Sequence, residues 1–150
     1  MIRRWNTIWK DAKGVVAIET AIITPVLALM AIGAYQVSAL VARQQELQSG
    51  ASEAAAIAFA KSPTTAADRT VLRDIIKTSL NLTDDQVTVS NVFRCGTSDT
   101  YATDVTTCGT EEIVSTYIHI NITDTYVPQW TAFGVGGPIN FNVTRTVQIS

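Results

Sequence analysis

The chain has few residues that carry chemistry. Among its 150 residues are two cysteines and one histidine. No Cys and His cluster stands at metal-ligand spacing, so the sequence implies no metal and no other cofactor. Charged residues make up only 16%, and the net charge is −2. That balance gives no field to attract nucleic acid, which is excluded as a partner. Catalytic motifs are missing too. No Gly-x-Ser-x-Gly turn accompanies His119, which falls on the polar face of a strand and reads as a surface residue. There is no Gly-x-x-x-x-Gly-Lys-Ser/Thr loop, and Gly134–Pro138 reads as a turn between strands. The expectation is a non-enzymatic protein without a small-molecule substrate.

Charge is also absent where it matters most. Between Glu19 and Arg43 lie 23 uncharged residues, Thr20 through Ala42. A helix crossing the hydrocarbon needs about 20 mostly apolar residues, so this run is long enough to span membrane lipid. Only scattered Thr, Gln, Ser and Tyr interrupt it, without the polar stripe of a soluble core helix. Arg3, Arg4, Lys10 and Lys13 precede the span, while Arg43 follows it and is soon answered by Glu46. The positive-inside rule places the N-terminus in the cytoplasm, with Trp5 and Trp9 at the interface. An ordinary export signal fits less well, because the apolar run is too long and no Ala-x-Ala site separates it from a following domain. The small residues at Ala51–Ala60 keep that alternative open.

Glu19 sits at the start of the apolar run, where a carboxylate is costly without a partner or headgroup solvation. Two readings follow. Glu19 marks the membrane boundary, or it serves a purpose set by its neighbours. Counting from the residue after Gly14, Glu19 is fifth. The segment Lys13-Gly14-Val15-Val16-Ala17-Ile18-Glu19 resembles a prepilin processing site, where a membrane peptidase cuts after glycine. The longer stretch, with Gly14, Glu19, Ala21 and Pro25 in position, resembles the TadE-like family of tight-adherence (Flp-type) pilus systems. Lys13 stands where that family commonly has Arg, and Ile18 and Thr20 stand where Val and Phe are common.

The resemblance implies cleavage between Gly14 and Val15. Glu19 would then neutralise the new amine of a neighbouring subunit. The implied partners are a prepilin peptidase, other pilin or pseudopilin subunits and an inner-membrane assembly platform. The implied location is the bacterial inner membrane with the C-terminal domain in the periplasm, and after assembly the pilus or cell surface. By length the chain fits a minor pilin or pseudopilin acting in pilus assembly and attachment. The other reading is an anchored binding module that keeps its leader and contacts a target through loops such as Gly96–Thr107. Pro25 lies inside the span and predicts a kink, either tolerated or useful in packing.

Beyond the span, Arg43–Ala60 is rich in helix formers and is interrupted by Gly50. Leu47, Ala51, Ala54 and Ala58 share one face, and Pro63 ends the stretch. A second helix is predicted at about Thr65–Leu80, with Val71, Leu72, Ile75, Ile76 and Leu80 as its core face. The period then changes to two. Val87, Val89 and Phe93 alternate with polar residues. Val114–Ile122 forms a half-buried strand with Ile118, Ile120 and Ile122 inward. The last strand turns Ile139, Phe141, Val143, Val147 and Ile149 to one side. Arg145 breaks this face and predicts the sheet's end, a bulge or a pair with a helix carboxylate.

Cys95 and Cys108 flank 12 residues, and in an oxidising compartment they read as a disulfide. The sequons at Asn81, Asn121 and Asn142 read as chance. The predicted class is α+β: a long N-terminal transmembrane helix, then helices packed on a three- or four-stranded antiparallel sheet. The division is a basic leader at 1–14, a span at 15–42 and an exported domain at 43–150.

Overall fold

The computed structural model describes residues 12–128 and 137–150, with side chains from Val16 onward. Arg3, Arg4, Trp5, Trp9, Lys10, Phe133 and most of the Gly134–Pro138 turn lie outside the described residues. The class is α+β. Two helices, α1 (Ala12–Lys61) and α2 (Ala66–Leu80), precede three strands, β1 (Val87–Cys95), β2 (Val114–Tyr126) and β3 (Ile139–Gln148). The chain divides into two compact units, Met1–Leu40 and Val41–Ser150.

In the first unit, α1 is long and apolar enough to cross a membrane, with mean hydropathy 2.0 in its most apolar window and none of that window buried. Ile18, Ile22, Leu27 and Met30 are all exposed. A helix evolved for a water-soluble core would have covered such side chains. Thr20 and Thr24 donate their hydroxyls to the carbonyls of Val16 and Thr20, at 2.8 and 2.6 Å. Each polar group is thereby satisfied within the helix, as a hydrocarbon surrounding requires.

In the second unit, the sheet has the order β1-β2-β3 and is antiparallel throughout. Its inner face carries Val87, Ile118, Ile120, Ile122, Phe141 and Val143, all buried. Leu47, Ala51, Ala54 and Ala58 of α1 and Leu72, Ile76 and Leu80 of α2 complete the core. Each fully enclosed Leu or Ile contributes about 1.5–3 kcal/mol by leaving water. Alanine on the buried face of α1 permits close approach of neighbouring elements.

Local signals explain the helix ends. Ser62 takes a left-handed conformation at φ 45°, its N–H reaching the Ala58 carbonyl at 2.9 Å, and Pro63 follows. The Thr65 hydroxyl caps α2 by accepting from the Asp68 N–H at 3.1 Å, and Asn81 closes it at φ 53°.

Three expectations need correction. Gly50 does not interrupt α1, which runs through it. A Cβ there would stand 2.7 Å from a Leu80 methyl, so glycine is present because Leu80 occupies the space. On α2 only Leu72, Ile76 and Leu80 are core; Val71 and Ile75 are 59% and 45% exposed. The apolar stripe is wider than the surface the fold covers. Arg145 marks neither the sheet's end nor a bulge, because pairing runs unbroken from Tyr117↔Gln148 to Tyr126↔Ile139. It pairs with no carboxylate among the described residues and is exposed.

Candidate functional site

Gly14, Val15, Glu19 and Pro25 all lie on α1. Gly14 and Val15 fall in its first turn and Pro25 inside it. Val15 and Glu19 are four residues apart, about 6 Å along the axis at 1.5 Å per residue. Glu19 is exposed and has no ion-pair partner among the described residues. Among the described residues its carboxylate therefore lacks a compensating cation, at the edge of a segment where a bare charge is costly. Pro25 brings no N–H, so the Ala21 carbonyl one turn earlier loses its helical donor.

The second candidate is the loop between β1 and β2. Cys95 and Cys108 are joined as a disulfide with Cα atoms 5.3 Å apart. The loop folds back on β1, and Phe93 and Ala102 exchange main-chain hydrogen bonds of 2.8 and 2.7 Å. The Tyr101 ring meets Tyr117 edge-on at 5.2 Å between centroids. Tyr117 is the register partner of Val92, which is buried on the otherwise polar outer face. The Asp104 carboxylate caps a short 3₁₀ turn, Val105–Thr107, by accepting from the Thr106 N–H at 2.9 Å. That backbone bond holds the Asp104 pKa below its ordinary value. The loop is thus fastened at both ends and at Ala102, with Ile113 exposed at its exit.

His119 is half-buried on the outer face, its Nδ1 3.0 Å from the Thr146 hydroxyl. No cluster of three metal-ligating side chains occurs among the described residues.

Sequence reasoning missed the polar junction built on Arg43. Its Nε donates to the Asp124 carboxylate at 2.7 Å, one terminal nitrogen to Glu46 at 2.8 Å and the other to the Leu80 carbonyl at 3.2 Å. Asp124 also accepts from Gln86 at 3.0 Å and from the Thr125 N–H at 2.8 Å. One guanidinium thus joins α1, the end of α2 and β2 where the second unit begins. Read along the sequence, Arg43 is only the charge that ends an apolar run, and nothing local announces a partner 81 residues away.

No curated protein and no solved structure matches this chain. Residues 14–56, the segment that holds Gly14, Glu19 and Pro25, match the model of the family described as TadE-like protein.

Proposed function

We propose that this chain is a minor pilin or pseudopilin of a tight-adherence (Flp-type) pilus, a structural subunit rather than an enzyme. The observation that carries the reading is the coincidence of the TadE-like match with an apolar, uncovered helix whose Glu19 has no ion-pair partner among the described residues. In this reading the N-terminus is cytoplasmic and the second unit is periplasmic. A prepilin peptidase cuts between Gly14 and Val15. The new amine lies at the membrane edge, and Glu19 of an adjacent subunit neutralises it, which fixes the axial register of packed helices. The assembly platform and other pilin subunits are the partners, and attachment to surfaces is the outcome.

Intact-mass spectrometry on the chain purified from its native membrane tests this. The expected mass lacks residues 1–14, and Gly14→Leu keeps the precursor at full mass. An unchanged N-terminus in the wild-type chain overturns the pilin reading and leaves an anchored binding module.

A further inference from the structure

β3 is the outer strand on one side of the sheet. The outer side of β1 is partly occupied, since Phe93 pairs there with Ala102. Among the described residues no main chain pairs with the open side of β3. Alternation of the ladder identifies the groups presented there. The Ile149 N–H donates to the Thr116 carbonyl at 2.9 Å, so even-numbered residues of β2 bond toward β3. The Thr123 N–H donates to the Gln86 carbonyl at 2.8 Å, so odd-numbered residues bond toward β1. In this register the N–H and C=O groups of Asn140, Asn142, Thr144 and Thr146 point away from β2.

A cavity of about 360 Å³ lies beside this edge, lined by Gln44 and Gln48 of α1 and by residues 140–145. Arg145 is the one charge in that lining. It stands on the same strand face as Phe141 and Val143, opposite Ile120, and has no ion pair among the described residues. Exposed sheet edges are commonly protected by lysine, proline, bulges or an inward-pointing charge. β3 has no lysine, no proline and unbroken register, so Arg145 is its only such device. A lone cation repels basic strands, is costly beside an apolar one and attracts an acidic one.

We propose that the open edge of β3 is a docking site for an extended segment of another protein, which adds as a fourth strand and places an Asp or Glu side chain against Arg145. Main-chain bonds to Asn140, Asn142, Thr144 and Thr146 supply the pairing, and the ion pair selects the sequence. The Gln44 and Gln48 amides offer donors and acceptors to the segment's other polar side chains. This inference does not rest on the pilin reading, and the mass measurement above does not bear on it.

The test uses the full chain in detergent micelles and the synthetic peptide Thr-Val-Thr-Val-Asp-Val-Thr-Val-Thr. Alternate residues are N-methylated so that the peptide has a single hydrogen-bonding edge. Amide hydrogen exchange is read at the outward N–H groups of Asn140, Asn142, Thr144 and Thr146. The expected result is about tenfold slower exchange there at saturation, and about tenfold weaker binding when the central Asp is replaced by Asn. Arg145→Gln should remove the difference between the two peptides. Asn142→Pro, which deletes an outward N–H without taking a ladder bond, should weaken both. The proposal is overturned if these amides are already protected without peptide, if protection maps elsewhere, or if the wild-type chain binds both peptides equally.

Discussion

Arg43 and Asp124 tie α1, the end of α2 and β2 together in the second unit. Arg43 is 23% exposed and Asp124 14%, and each makes bonds that water cannot easily replace. Arg43→Ala leaves Asp124 with Gln86 and Thr125 but without its cation, and leaves the Leu80 carbonyl without that donor. The expected loss is about 1–3 kcal/mol, read as a lower unfolding midpoint in detergent, with Arg43→Lys recovering only part because an ammonium cannot reproduce the fork. A midpoint unchanged in Arg43→Ala would show that the junction contributes nothing. The Lys77–Asp84 pair, at 2.8 Å, behaves differently because it lies in solvent. The hydrogen bond from Lys77 lowers the Asp84 pKa from its ordinary 3.8. The folded state then binds this proton less readily than the unfolded one. The pair's contribution is therefore present above the ordinary value and is lost as pH falls through the depressed one. An NMR titration of Asp84 should show a midpoint below 3.8 in the wild-type chain, and Lys77→Met should return it upward. Salt at about 1 M should do much of the same.

At the scale of elements, α1 and α2 meet at Gly50. Alanine there gains about 1 kcal/mol of helix propensity. Its Cβ would also stand 2.7 and 2.8 Å from the Leu80 methyls, and overpacking of that kind costs about 1–3 kcal/mol. Because Leu80 is only 4% exposed it has little freedom to give way, so Gly50→Ala should lower thermal stability. The double substitution with Leu80→Ala should be less destabilised than the sum of the singles. Additive singles would mean that the two residues do not compete for space. This contact also shows which parts of the fold the sequence reveals. Periodicity is a local property, so the alternation of Ile118, Ile120 and Ile122 identified the buried face of β2, and Leu47, Ala51, Ala54 and Ala58 that of α1. Which apolar residues a partner covers is not local. Val71 and Ile75 share the stripe of Leu72 and Ile76, and nothing in the sequence says that the fold ends between them. Gly50 reads as a break by propensity alone, and only Leu80, 30 residues later, explains it.

At the scale of the whole molecule, the start of α1 was legible because its features are consecutive: Gly14, then Glu19, then an uncharged run with Pro25. The Arg43 junction and the open edge of β3 were not, since each depends on residues that only the fold brings together. The same separation makes topology testable, because the basic N-terminal segment and the disulfide are far apart in the chain. The disulfide between Cys95 and Cys108 requires an oxidising compartment. The charges proposed to send it there are Arg3, Arg4, Lys10 and Lys13, near the other end of the chain. Thiol labelling of the wild-type chain in intact cells should find no free cysteine until a reductant is added. Replacing the four basic residues with Gln removes the bias that holds the N-terminus inside. A share of the chains should then insert inverted or fail to translocate, and both cysteines of that share should label without reductant. If the basic residues are replaced and the disulfide still forms fully, orientation is set by something other than the leader's charge. If the wild-type cysteines label without reductant, the second unit does not lie in an oxidising compartment, and both the proposed topology and a role outside the cytoplasm fall together.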